Sequence, residues 1–485
     1  MKKLLIILSV TFSLVLAGES VAIRPGVSLD QTAPGPTPFI SFVTLRISDP
    51  VNLSTISFSI RPKQGSKTRP ISATYSSAYL QNAGYFQPNS SKLTLPVFGL
   101  YQGRQNTVTV TITFNGGATQ QNRVNITTAA YVDGTFTSPT IVQPRSTTTT
   151  ISYDYILMKA STTADTPVII DSDAEVRWVG SVGRGGQQAL FYQNGIYSTD
   201  SATSLVRLEF DGRSTTLADY ASLGVTGIHH NFDYGRDGIL IDVDTAAWLE
   251  SINMEVDGLG NVLRTWNLAD IISAAMVAGG DDPSGFVFPA PTDWFHNNAT
   301  TYRPSDDSFI VSSRENFVIA LDYDTQAIKW ILGATDKHWY QYRSLRKFAL
   351  KLGPDTLAPV GQHAVSIVDD NLLLFDNGTA SLTQMPTGMG RTYSAPRKYA
   401  ISGKTATEIY HYLSDPATKS SFCSSVYEDA TDNYLIDYAQ ADGLYCDIVG
   451  LDASGAVAFY FQYVADGCGT AFNANPLHLE NLQFD

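Results

Sequence analysis

Four of the chain's seven histidines fall in three segments that share one local setting. They are HHNFDYGRDGILID, with His229 and His230; HNNATTYRPSDDSFIVSSR, opening at His296; and QHAVSIVDDNLLLFDNG, with His363. In each, a turn signal follows the histidine and strand-forming residues follow the turn. Imidazole serves as metal ligand, acid/base or nucleophile. Three converging imidazoles could make an open zinc site, which usually carries carboxylates behind its ligands. These segments supply instead Asn297, Asn298 and, at the end of the strand after His296, Arg314. A return hairpin would bring Arg314 back beside His296. A fixed cation opposes a dication and suits an oxyanion, whose geometry the guanidinium fork matches. Anion handling therefore ranks above metal binding.

Convergence needs a frame, and a repeat supplies one. Six hairpins recur: TPVIIDSDAEVRWV, SLVRLEFDGRSTTLAD, SINMEVDGLGNVLRTWNL, FVIALDYDTQAIKWILG, RKYAISGKTATEIYHYL and DIVGLDASGAVAFYFQY. Three of them are preceded by a histidine segment, and NYLIDYAQADG fills that place before the sixth. Repeats of four short strands predict an all-β, six-bladed β-propeller over residues 149–485, with insertions around LADIISAAMVAG and ALKLGPDTLAPV. The innermost strand of each blade lines a central channel, so the three histidines are expected at one end of it.

Residues 23–148 differ. They are rich in Thr, Ser, Val and Asn, and TVTVTITF alternates strictly before the turn Asn115-Gly116-Gly117. This predicts an N-terminal β-sandwich, with PTIVQPRSTTTT as linker. Residues 1–22 read as a secretory signal: Lys2 and Lys3, an apolar core, then Ser20-Val21-Ala22. An exported protein, periplasmic or secreted, is expected. The net charge of −14 without a basic cluster argues against nucleic acid or an anionic membrane as partner. Oligomeric state is not legible, and a homodimer stays open. Of three cysteines, Cys423, Cys446 and Cys468, at most one internal pair can form.

The motifs HHNFDYGRDGIL, DWFHNNATTY with IVSSRENFVIALD, and QHAVSIVDDNLLLFDNG resemble those of the bacterial aryl-sulfate sulfotransferases (arylsulfotransferases). The resemblance covers nearly all of the chain beyond the signal. It implies transfer of a sulfuryl group from a phenolic sulfate ester to a phenol, without a nucleotide donor or other cofactor. It also implies a covalent histidine intermediate and ping-pong kinetics. The position matching the nucleophile is His363. His296 and Arg314 match residues that hold the sulfuryl oxygens, and His230 matches the third histidine. His230 precedes Gly238 by the same interval that separates His363 from Asn371, which selects it over His229. Asn298 matches a neighbouring polar residue and, with His229, is assigned to substrate binding. Some members carry a short-loop disulfide before the nucleophile segment; this chain has no Cys there. After FDNG, the stretch TASLTQMPTGMGRTYSAPRKYAI matches no site residue of the family, so the acceptor pocket stays open.

Bland readings stand beside these. His229 reads first as a packing or orienting residue. His338, His411 and His478 carry no motif. Trp178, Trp266 and Trp330 at hairpin ends read as blade packing, and Asp376-Asn377-Gly378 as a turn that aims His363. Two other functions use the same residues: a metal-dependent hydrolase or lyase, and a non-catalytic propeller that binds a ligand or protein.

Overall fold

The computed structural model describes residues 26–180 and 185–485. The proposed signal segment lies outside them. Strict alternation decides the N-terminal domain. In Gln105–Phe114 every second residue, from Asn106 to Phe114, is buried. The hairpin turns at Gly116 and Gly117, both at positive φ, and pairs Thr113 with Thr119 through Gln105 with Thr127. This hairpin joins Leu53–Ile60 and Ser72–Ser76 in one sheet; Val27–Pro34, Ile40–Ile47 and Lys92–Phe98 form the other. Their inner faces share a core of Ile, Val, Leu and Phe.

Six sheets follow as blades, antiparallel except where Lys351–Leu352 adds in parallel to the outer edge of the fifth. The first strands of neighbouring blades pack on one another: Gly185–Tyr192, Val225–Tyr234, Asn297–Arg303, His363–Val368 and Ser425–Ala430 in blades two to six. Blade one is composite. Its innermost strand, Asn473–Leu477, comes from the far end of the chain and pairs with Tyr155–Lys159, so the ring is closed by backbone hydrogen bonds. Trp266 stacks on Phe309 of the next blade at 4.1 Å, and the Trp178 indole donates to Phe210 O at 3.1 Å; both are packing residues. The insertion after blade three forms the helix Leu268–Ala278, capped by Asn267 and packed on Trp294, Trp339 and Leu345. No helix among the described residues is long and apolar enough to cross a membrane.

The chain crosses between its two domains at both ends. Residues 140–143, expected in the linker, form a strand on the outer edge of blade six. Leu482–Phe484 returns to the sandwich and pairs in parallel with Ala73–Tyr75. A boundary at residue 148 therefore marks the core of each domain and not the course of the backbone. Both strands cover edges that would otherwise present unpaired peptide groups.

Candidate active site

At one end of the channel three successive inner strands break their ladders. Register shifts fall between His229 and Phe232, Asn297 and Ala299, and His363 and Ser366. Bulges of this kind re-aim side chains. The backbone is left-handed at His230 (φ 47°), His296 (52°) and Ala364 (52°). That conformation costs a non-glycine residue about 1–3 kcal/mol and clusters at functional sites. The histidines do not share one ladder position. His363 is the last paired residue before its bulge, opposite Phe375. The corresponding place in blade three belongs to His229, opposite Asp242, while His230 lies inside the bulge. His296 stands one residue ahead of its strand.

They converge nonetheless. The His230 and His296 rings lie 4.9 Å apart, and Phe472 sits 5.5 Å from His230 and 6.2 Å from His363. With Arg314, Phe422 and Leu382 they bound a pocket of about 410 Å³. A larger cavity of about 560 Å³ opens at the opposite end of the channel and touches none of these histidines. Lys159 and Asp233 are buried along the channel, joined through Asn231, whose amide accepts from Lys159 Nζ and donates to Asp233 at 2.9 Å.

His363 is buried, and its neighbours decide which nitrogen is reactive. The Asn377 amide donates to Ser420 O at 2.8 Å and Cys423 O at 3.0 Å, which turns its Oδ1 toward His363 Nδ1, 2.8 Å away. Oδ1 can only accept, so Nδ1 carries the proton and Nε2 the lone pair. The Cys423 N–H donates to Nε2 at 3.2 Å. Burial holds the His363 pKa well below the usual histidine value; the Asn377 bond opposes this, and Arg314 adds to it. The ring is neutral at physiological pH.

His296 is the opposite case. Its Nδ1 contacts Asp293 and, at 2.8 Å, Glu250. Burial disfavours its charge, but the hydrogen bonds to Asp293 and Glu250 outweigh that and push its pKa up to about 9. Both carboxylates bind Nδ1, which leaves Nε2–H as the proton available to the pocket. His230, 3.3 Å from Asp242, is held down to about 3 by burial, so it is neutral.

Arg314 does return beside His296: its N–H donates to His296 O at 3.0 Å. The guanidinium is buried, lies 4.8 Å above the Phe422 ring and pairs through Nη1 with Glu315. Its Nη2 is buried without a hydrogen-bond partner. An orphaned buried donor is costly, about 1–3 kcal/mol, and its natural partner is an anion in the pocket.

Two residues assigned to substrate binding are not on the pocket. His229 faces Asp244, with Glu250 3.6 Å away. Asn298 donates to Gln362 O at 2.8 Å, bracing the strand beside His363. Conversely, the sequence reading found no carboxylates near the histidines, and the structure brings Asp242, Asp244, Glu250 and Asp293 there. The first two were legible in principle, since the hairpin after His230 pairs His229 with Asp242. Glu250 and Asp293 arrive from loops. Phe422 and Phe472 carry no recognised signal, whereas Asn377 falls in the segment read as aiming His363. The sets His229–His230–Glu250 and Glu250–Asp293–His296 bring ligand atoms within 4.8 Å and are where a cation could bind. In the latter, protonated His296 already offsets one of the two carboxylate charges.

Cys423 and Cys468 form a disulfide on the pocket wall, and Cys446 is a buried free thiol. The bond closes a sequence separation of 45 residues. Reduction is expected to lower stability by about 4 kcal/mol through loop entropy. Thermal unfolding with and without a phosphine reductant checks this, and an unchanged midpoint would contradict it.

The Arylsulfotransferase (ASST) family model matches residues 140–453, and the Arylsulfotransferase Ig-like domain model matches residues 48–129. An arylsulfate sulfotransferase AssT from Lelliottia amnigena is 24% identical over 425 residues, covering 64% of this chain and 69% of that protein. Among solved structures, the β-propeller domain of Cps50 (Swd1) from Myceliophteria thermophila aligns at 10% identity over 68% of this chain and 89% of its own, with a TM-score of 0.35. BamB from Moraxella catarrhalis aligns at 9% identity over 68% and 97%, with a TM-score of 0.29. Such scores add nothing to the propeller already evident in the strand order. The family match spans well over half of the sequence and includes every residue of the histidine cluster, and the chain belongs to the arylsulfotransferase (ASST) family.

Proposed function

We propose that this sulfotransferase moves a sulfuryl group from a phenolic sulfate ester to a phenol, without a nucleotide donor, through a sulfohistidine on His363. The observation that carries the reading is the fixed tautomer of His363, with Nε2 unprotonated at a pocket lined also by Arg314, whose Nη2 is buried and unpartnered. The Nε2 lone pair gives up its hydrogen bond from the Cys423 N–H and attacks sulfur, an N–S bond forms and the S–O bond to the aryl group breaks. The aryloxide takes the Nε2 proton of His296. A phenol has a pKa near ~10, just above that of His296, so the proton moves downhill and can be returned. In the second half-reaction the acceptor phenol gives its proton to His296, its oxygen attacks sulfur and the N–S bond breaks. The sulfuryl charge is met by Arg314 and His296; as in phosphoryl transfer, positioning and charge stabilisation supply most of the catalysis.

The test is release of phenol from a chromogenic aryl sulfate with and without an added acceptor phenol. Acceleration by the acceptor, with the sulfate ester of the acceptor as product, supports transfer. Release of inorganic sulfate at an unchanged rate would show a hydrolase. The clustered ligand atoms around Glu250 favour a second reading, a metal-dependent hydrolase, and loss of activity on dialysis against a chelator, restored by a divalent cation, would select it.

The charge on His296 sets a pH limit. The rate kcat/KM is expected to hold through neutrality and fall as pH rises through about 9, where His296 loses its proton. Asp293→Asn keeps an acceptor for the His296 N–H but removes an anion. It should therefore move the basic limb to lower pH. A limb that stays in place would remove His296 from the acid role. Export, read from residues 1–22, is supported by the Cys423–Cys468 bond, which suits an oxidising compartment.

A further inference from the structure

The segment that matched no family site residue forms a closed loop beside the pocket. It leaves the chain one residue after Asn377, the partner of His363, and its ends meet where the Arg391 N–H donates to Gly378 O at 2.7 Å. The loop is fastened from below. Glu315, buried and paired with Arg314, accepts from Ser381 Oγ, from the Leu382 N–H at 2.7 Å and from the Thr383 N–H at 3.0 Å. Buried Gln384 donates to Phe286 O at 3.0 Å and Trp294 O at 3.2 Å. The His338 N–H donates to Pro386 O, and the Met389 N–H to Asp336 at 2.8 Å.

A loop so held has every opportunity to bury its apolar side chains, and three of them face solvent. Leu382 is 64% exposed, Met385 68% and Met389 78%, whereas Met158, Met254 and Met276 are all in the core. Leu382 also lines the sulfuryl pocket, and Met385 and Met389 follow it on the same anchored loop, outside the pocket wall. Methionine adapts its shape to varied apolar partners, and a fixed apolar surface at a pocket mouth marks a binding site. The wall under it is neutral: Glu315 is spent on Arg314 and the loop amides.

We propose that Leu382, Met385 and Met389 form a distal apolar subsite, which binds the second ring or apolar substituent of extended phenols and aryl sulfates whose first ring sits between Phe422 and Phe472. The proposal rests on the sulfuryl-transfer reading and names the substrate class it favours.

Binding of two unreactive sulfonates, benzenesulfonate and biphenyl-4-sulfonate, measured by calorimetry, tests it apart from turnover. Biphenyl-4-sulfonate is expected to bind about tenfold more tightly, the ratio for one partly buried ring. In the Met385→Ser/Met389→Ser double variant the ratio should fall to about twofold. An equal affinity for the two probes in the native protein, or a ratio unchanged in the variant, overturns the subsite. If the ratio collapses but phenyl sulfate is never a donor, the subsite stands and the transfer reading falls. Light scattering on both proteins covers the other occupant: a dimer lost in the variant, with the ratio intact, makes the patch a face between copies and overturns the proposal.

Discussion

His363→Ala is expected to lower transfer from an aryl sulfate by on the order of 10⁴-fold or more, the scale seen when a covalent nucleophile is removed. The native protein quenched rapidly after mixing with donor alone should carry one sulfuryl group on the peptide containing His363, and the variant none. The physical case rests on one nitrogen. A nucleophilic imidazole must present a lone pair, and a buried histidine with both nitrogens protonated cannot. Burial keeps this ring neutral, and the orientation of Asn377, fixed by two carbonyls, places its single proton on Nδ1. After attack, Nδ1–H stays against Asn377 Oδ1, where the positive ring is met by a carbonyl dipole. Removal of the ring leaves the Cys423 N–H and Asn377 Oδ1 without partners, at a cost of about 1–3 kcal/mol each, so the variant's fold must be checked by its unfolding midpoint. Added imidazole offers a second readout. Recovery of phenol release by free imidazole would mean that the variant lacks only its nucleophile. Full activity in His363→Ala, or a rapid-quench sample with no adduct, would remove the covalent step.

Much of this frame could be read from residue order, for a reason visible in particular strands. Period-two alternation in Gln105–Phe114 and the hairpins ending in Trp266 and Trp330 are local signals, and they report local pairing. Three histidine segments at the same place in successive repeats had to meet once the repeats closed a ring. The failures share a cause as well. A bulge changes which way a side chain points, and it leaves no mark in the sequence. His229 and His230 are adjacent, yet one lines the pocket and the other faces Asp244. Asn298, two residues from His296, donates to Gln362 and lies off the pocket. Glu250 and Asp293, which set the charge of His296, reach it through loops whose course depends on the helix Leu268–Ala278 and its packing. Asn377 reads as part of a turn that aims His363, and what the turn signal leaves out is that the side-chain amide itself contacts the ring. The strands 140–143 and Leu482–Phe484 escaped because each completes a sheet formed by distant sequence.

Arg314→Ala should reduce kcat/KM by about 10²–10³-fold, the usual consequence of losing one donor to a developing anion. The guanidinium performs two tasks, and the prediction depends on separating them. Nη1 neutralises Glu315, and Nη2 is buried beside the pocket without a partner. A sulfuryl group in transfer carries its charge on equatorial oxygens, and the planar guanidinium fork suits them. In the alanine variant Glu315 loses its cation but keeps its bonds to Ser381, Leu382 and Thr383, so the loop retains its anchor. Arg314→Lys isolates the other task. The ammonium can neutralise Glu315, but it is a point charge without the fork, so it cannot hold Glu315 and a sulfuryl oxygen in the same geometry. The lysine variant is therefore expected to unfold near the native midpoint and still lose most of the activity lost in alanine. Near-native kcat/KM in Arg314→Lys would show that Arg314 acts through charge alone. Near-native kcat/KM in Arg314→Ala would remove Arg314 from the sulfuryl group and leave that charge to His296, so the rate would then be lost as His296 loses its proton through about pH 9.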